Sequence, residues 1–323
     1  MNSMIDYIKA TTSFRDKGTN IIPHLCNPDA VFSSGWEKYY LEGCEKLVVW
    51  VNPSLQLLRL EGSIPYYWQG HNFCFSKGSF LEAINYISSY LNVDIWKAQL
   101  QAFEYGVIVE SSMKPKDIIL HHSAIPHEKL LLNENQKDRG NYRNWKDGNV
   151  QLKMYDAGRN IIYKQGLDRR QIIHESGWND SEEYLKWEIK YLKPEFLNRG
   201  VALCLFHLMN KGWINVLKND VLNQYKRLLP MKSIIIPSDK KDLSTADILA
   251  LTFAEQSINS GMPLDSLKKM LYSRINSISD EVLTSADKAA RKRQVKILLE
   301  KLKESPESQW DLSEHIQKAL DSE

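Results

Sequence analysis

Apolar and polar residues alternate along Phe103-Glu104-Tyr105-Gly106-Val107-Ile108-Val109-Glu110. Phe103, Tyr105, Val107 and Val109 fall on one side of a period of two, which predicts a β-strand. Glu104 then shares its face with Gly106 and Ile108, where a carboxylate needs a partner because an unpaired buried charge is costly. Residues 184–192 repeat the pattern, with Glu188 at the centre. Further strands are predicted over 4–12, 47–51, 55–60 and 150–156, the last ended by Ala157-Gly158. Leu81, Ile84, Ile87 and Leu91 recur at helical spacing, which predicts a helix over 80–91 with Ser79 as its N-cap. A Lys-Pro loop follows the Glu104 strand and the segment 133–148 is a polar stretch, while His121 and His122 adjoin in a strand-like segment, so they point to opposite faces.

The pattern changes after Pro194. Residues 196–229 are helical in period, interrupted at Gly212, and no strand is expected from Ser244 onward. A helix is expected to start near Ser244, with Gly261 and Pro263 marking its end and the next start. The two short helices on either side of that break also suit a helix–turn–helix. Residues 285–303 form a basic amphipathic helix ended before Pro306, and 237–242 reads as a linker. Intermixed strands and helices, with alternating rather than fully apolar strands, predict an α+β fold: a mainly antiparallel sheet domain over 1–236 with one face covered by helices, then an all-helical domain over 237–323.

Composition narrows the classes. Of 323 residues, 43% are hydrophobic and 25% charged, proportions of a globular, non-membrane chain. No leader-like apolar segment follows the N-terminal residues and no apolar run is long enough to span a bilayer, so a cytoplasmic location without membrane contact is expected. The four cysteines, Cys26, Cys44, Cys74 and Cys204, lack zinc spacing and suit reduced thiols. Formal net charge is only +2, so a nucleic-acid surface would be a local patch. Two segments, 137–170 and 286–303, each carry a surplus of five positive charges. In the first, Tyr142, Trp145, Tyr155 and Tyr163 interleave the basic residues, a combination that suits single-stranded DNA. Arg143, Lys146 and Arg159 are its candidate DNA contacts.

Two strand carboxylates, Glu104 and Glu188, have the chemistry of a divalent-cation site, Mg²⁺ or Mn²⁺. Glu110 shares a face with Glu104 but lies about 20 Å along the strand at ~3.3 Å per residue, too far to join it. His71, in an apparent turn after Gly70, is a further candidate ligand. Lys186 and Lys190 flank Glu188 on its own face, which also suits solvated Glu–Lys pairs without any ion.

In chain order, Met4-Ile5-Asp6, Glu61-Gly62-Ser63-Ile64-Pro65, Gln69-Gly70-His71-Asn72-Phe73, the Glu104 strand, Leu152-Lys153-Met154-Tyr155-Asp156-Ala157-Gly158 and Lys186-Trp187-Glu188-Ile189-Lys190 resemble the gene II/X family of phage and plasmid replication proteins. The resemblance spans about residues 4–195. It implies an HUH-like rolling-circle initiator that nicks single-stranded or supercoiled origin DNA in a metal-dependent reaction, stays joined to the 5′ phosphate through tyrosine, and later rejoins the strand. It implies Tyr155 as nucleophile, Glu104 and Glu188 as the acids of two motifs and Asn72, the asparagine of a third, as a DNA contact. A bacterial host whose helicase and polymerase follow the nick is part of the same implication. Lys153, two residues from Tyr155 on one strand face, is expected to lower the phenol pKa or hold the phosphate. Tyr142 and Tyr163 are alternative nucleophiles. The sequence departs from the family at Ala102, where Arg is common, at Ala157, where Lys is common, and in lacking a His-hydrophobic-His triplet. The alternatives to nicking are a non-catalytic DNA-binding regulator of the same ancestry and a phosphodiesterase acting through water.

Overall fold

The structure is a computed structural model, and it describes residues 4–15, 27–122, 130–131, 140–165, 174, 177–179, 181–228, 249, 252–253, 257, 264–303 and 311–322. Ten strands form one sheet: β1 (Met4–Ser13), β2 (Ala30–Val31), β3 (Glu37–Tyr40), β4 (Leu47–Asn52), β5 (Leu57–Ser63), β6 (Gln99–Ser111), β7 (Leu130–Leu131), β8 (Tyr142–Asp147), β9 (Val150–Asp156) and β10 (Glu183–Tyr191). Their spatial order is β2-β3-β4-β5-β1-β6-β10-β9-β8-β7, and every neighbouring pair is antiparallel. The helices are α1 (Ile64–Gln69), α2 (Lys77–Leu91), α3 (Pro115–Leu120), α4 (Ala157–Gln165), α5 (Lys211–Arg227), α6 (Leu264–Asn276), α7 (Ser285–Lys303) and α8 (Ser313–Asp321). The chain is therefore α+β with a large antiparallel sheet and C-terminal helices. Among the described residues, no helix is long and apolar enough to cross a membrane.

The alternation read at Phe103–Val109 sets the layers. Phe103, Val107 and Val109 are buried together with Trp187, Ile189 and Tyr191 of β10 and Leu152 and Met154 of β9. The Phe103 and Tyr191 rings stack at 4.7 Å. Helix α5 covers this face: the Trp187 indole donates to the Val221 carbonyl at 3.0 Å, and the Tyr191 hydroxyl donates to Asp220 at 2.8 Å. Helix α8 packs on β6 and buries Ile316, Ala319 and Leu320, while Lys218 donates to the Leu320 carbonyl at 2.5 Å. The opposite face is partly covered by α1, α4 and the loop after α1, where Phe73 meets Tyr184 edge-on at 5.3 Å. Helices thus lie on both faces of the sheet rather than on one.

Several local expectations change. Ser76, not Ser79, caps α2, its hydroxyl accepting the Ser79 amide at 3.0 Å. The polar segment before Gly148 contains a strand, β8, joined to β9 by a tight turn in which Gly148 adopts φ 52°. That strand escapes a hydrophobicity reading because only Asn144 and Trp145 of its six residues are buried. The region 196–229 resolves into two short 3-10 turns, Pro194–Asn198 and Leu205–Met209, before α5, and Gly212 sits in the first turn of that helix. His121 and His122 follow α3 and are not in a strand. The expected linker 237–242, the helix start near Ser244 and the Gly261–Pro263 break lie outside the described residues.

Contacts divide the chain into two compact units. One comprises Met1–Ile119, Lys129–Lys226 and Ser313–Glu323, and the other Leu120–Glu128 and Arg227–Leu312. The sheet unit therefore takes in α8, which the sequence reading placed with the helical segment, because α8 has its apolar face on β6. In the second unit α6 and α7 pack against each other.

Candidate functional site

Register brings the candidate residues together. In the β10–β6 ladder Glu188 pairs with Gly106 and Lys190 with Glu104; in the β10–β9 ladder Glu188 pairs with Lys153 and Lys186 with Tyr155. Side chains directly opposite in a ladder share a face, so Glu104, Lys153, Tyr155, Lys186, Glu188 and Lys190 all point to one side of the sheet. Gly106 makes this density possible. A Cβ at that position would lie 2.4 Å from the Trp187 carbonyl oxygen and 2.5 Å from the Glu188 Cβ. Only a residue without a side chain lets β10 approach there.

The ion pairs form a chain across four strands, β1, β6, β10 and β9. Lys153 Nζ lies 2.7 Å from Glu104 Oε1 and 3.2 Å from Glu188 Oε1. Lys190 contacts Glu104 at 3.2 Å. Lys186, fully buried, holds Glu188 at 2.9 Å and forms a close ion pair with Asp6 of β1. Asp6 also accepts from Asn72 at 2.7 Å and from the Ser63 hydroxyl at 2.6 Å. The same Ser63 hydroxyl caps α1, accepting the Tyr66 amide at 3.4 Å, so the helix start and the acid are fixed by one side chain. The Tyr155 hydroxyl donates to Glu188 Oε2 at 3.4 Å.

Electrostatics follow from burial and pairing. Burial opposes ionisation of Asp6 and Glu188, yet Lys186, joined at Glu188 by Lys153, outweighs it and both carboxyls lie below the usual range. Glu104 goes the other way: burial and the Glu188 charge push it up against the pull of Lys153 and Lys190. Burial and the Glu188 carboxylate push the Tyr155 phenol well above its ordinary value, so it is protonated at neutral pH. Burial also raises Tyr142, whose ring lies 6.1 Å from that of Tyr155 across the β8–β9 ladder.

A cavity of about 670 Å³ opens on this face, lined among others by Asp6, Asn72, Glu104, Lys153, Tyr155 and Glu188. Cys44, Lys46, Tyr66, Tyr142 and Asn160 complete its lining. Of the residues singled out from the sequence, Glu104, Glu188, Tyr155, Lys153 and Asn72 are thus brought to one place. Others are not. His71 is buried in its turn, with Nδ1 accepting the Phe73 amide at 3.2 Å and facing the Gln69 amide at 3.2 Å, and it does not line the cavity. Arg143 pairs in register with Met154, which places it on the opposite sheet face from Tyr155. Lys146 pairs with Gln151 on the cavity face and is exposed; Arg159 lies in the first turn of α4, its amide donating to Asp156 at 2.8 Å. The Tyr163 side chain and Lys137, Arg139, Arg169 and Arg170 lie outside the described residues.

Asp6 and Lys186 belong to the same buried network, although the sequence does not single them out as site residues. The flanking Lys186-Trp187-Glu188 triplet carried a signal, since it places a lysine on the glutamate's own face. A solvated pair was the expectation there, but Lys186 is 0% exposed, and Asp6 lies 180 positions away in sequence.

Glu104 and Glu188 converge as expected, but the point between them is held by the Lys153 ammonium. Three acids, Asp6, Glu104 and Glu188, face three lysines, Lys153, Lys186 and Lys190, and balance them. Among the described residues no group of three or more His, Cys, Asp or Glu could hold a metal. As arranged, these residues do not fit a resident divalent ion. Comparison of the chain with protein-family models, curated proteins and solved structures finds no match in any of the three.

Proposed function

We propose that the protein nicks and rejoins DNA at a specific origin in rolling-circle replication, through a 5′-phosphotyrosine intermediate on Tyr155. One observation carries this reading: Tyr155 with Lys153, Glu104, Glu188 and Asn72, from four separate segments of the gene II/X resemblance, face one cavity. In that reading the Tyr155 oxygen attacks phosphorus and the bond from phosphorus to the 3′ oxygen breaks. A protonated phenol needs a base during attack, and Glu188 already accepts its hydrogen bond. The phenolic proton passes to Glu188, and the 3′ oxygen leaves as a hydroxyl after taking a proton from solvent. Lys153 lines the cavity and is placed to balance charge gathering on the phosphoryl oxygens. Attack by a 3′ hydroxyl on the phosphotyrosine reverses the sequence and closes the strand. The partners are then origin DNA, single-stranded or supercoiled, and the host helicase and polymerase that use the exposed end.

A second reading is favoured by the mutual neutralisation of six charges, which leaves the site satisfied without substrate: a DNA-binding replication or transcription regulator of the same ancestry that does not cut. The test is incubation of the protein with an end-labelled single-stranded origin oligonucleotide and denaturing electrophoresis. Expected is a covalent adduct that Tyr155→Phe abolishes while binding persists. Loss in Tyr142→Phe instead would move the nucleophile to the adjacent strand. Binding without an adduct in the unaltered protein selects the regulator, and cleavage without an adduct selects water as nucleophile.

A further inference from the structure

We propose that the ammonium of Lys153 occupies the place that a divalent cation takes between paired carboxylates, so that the positive charge of this site is built into the chain rather than bound from solution. The binding claim stands on geometry alone; its consequence for cleavage rests on the nicking reading.

Lys153 Nζ lies within hydrogen-bond distance of one oxygen from each of Glu104 and Glu188, at 2.7 and 3.2 Å. A divalent ion shared by the same oxygens would sit at ~2.0–2.6 Å from them, inside the space the ammonium fills. The two cannot coexist, because at a separation of a few ångströms like charges repel strongly where both are largely buried. The lysine is not a surface side chain that swings aside. Its Cα is fixed opposite Glu188 in the β9–β10 ladder, and its side chain is only 15% exposed.

Charge argues the same way. Divalent-cation sites carry a surplus of carboxylates. Here Lys186 is committed to Asp6 and Glu188, and Lys190 to Glu104, so with Lys153 the balance is zero. Without Lys153 it is one negative charge, with Glu104 and Glu188 converging on the vacated point. A lysine suits the task as well. Its ammonium is a compact charge with three donors, of which two go to the carboxylates and one remains for a phosphoryl oxygen in the cavity that Lys153 lines.

The experiment titrates the full-length protein with Mn²⁺ alone, following bound ion by electron paramagnetic resonance. Expected is no binding that depends on this site up to about 1 mM, the weak end of protein divalent sites. Glu104→Gln in the otherwise unchanged chain should leave the titration the same. Lys153→Met, which keeps the unbranched stem and removes the charge, should gain a site at least about tenfold tighter, since affinity tracks the charge of the ligand set. Adding Glu104→Gln to that variant should abolish the gain. Mn²⁺ binding by the unaltered protein that Glu104→Gln removes overturns the proposal, as does a folded Lys153→Met chain that gains nothing. Should Lys153→Met fail to fold, the first pair of titrations decides alone. Where nicking is observed, it should persist in excess chelator; strict chelator sensitivity together with Glu104-dependent Mn²⁺ binding refutes the built-in charge while leaving the tyrosine mechanism intact.

Discussion

Lys186 is the residue whose removal tests the site's electrostatics most directly. Its side chain is fully buried and neutralises two buried carboxyls, Asp6 and Glu188. Lys186→Met keeps the stem's packing and deletes the charge. Breaking a buried ion pair by removing one partner costs about 3–5 kcal/mol, because the remaining charge is stranded in low dielectric. Here two carboxylates lose a shared partner, while Lys153 still reaches Glu188 and Ser63 and Asn72 still donate to Asp6. The upper part of that range, about 4–5 kcal/mol at pH 7, is therefore expected.

The pH dependence has a definite sign. In the unaltered protein Asp6 and Glu188 lie below their ordinary values of 3.8 and 4.5, so their contribution is present above those values and is lost as pH falls through the lowered ones. Without Lys186 burial dominates and both carboxyls move up. The variant then gains stability on protonation as pH falls toward the carboxylate range, and the gap to the unaltered protein narrows. Urea denaturation followed by tryptophan fluorescence, at pH 7 and again near the low-pH limit of folding, measures both quantities. A loss below about 1 kcal/mol at pH 7, the scale of an exposed pair, would refute the buried network. A loss that is the same at both pH values would refute the assignment of its cause.

Two further outcomes follow from the geometry. Gly106→Ala should lower stability by about 1–3 kcal/mol by forcing β6 from β10, and should loosen the Glu188 side of the site; a thermal melt unchanged by the substitution would show that the strands yield without cost. DNA binding should weaken as salt rises, and the triple change Lys46→Gln, Lys146→Gln, Arg159→Gln should reduce the log–log slope by up to about 2 for a single strand, whereas Arg143→Gln, on the far face, should leave it unaltered. Equal effects of Arg143→Gln and the triple change would place the DNA on a different surface.

The sequence by itself determined the elements on which the site is built. A period of two at residues 103–109 and around Glu188 is a local property of the chain, so β6 and β10 were legible, as were β1, β4, β9 and α2 to within a few residues. The face on which Glu104 and Glu188 stand followed from the same alternation, and the ordered motifs pointed to Tyr155 and Asn72. Only the tertiary structure decided what those residues meet. Partnership between Lys186 and Asp6 depends on β1 inserting beside β6 and a register shift between Ile5 and Ile8, neither of which a local pattern encodes. Strand order also converts a lysine that sequence leaves beside a solvated glutamate into a fully buried cation. Residues in adjacent strands lie within a few ångströms however far apart they are in the chain, and burial is set by what covers a face, not by the residue itself. Hence β8, polar along most of its length, is visible only once β9 pairs with it, and the face on which Arg143 stands is fixed only by its register with Met154.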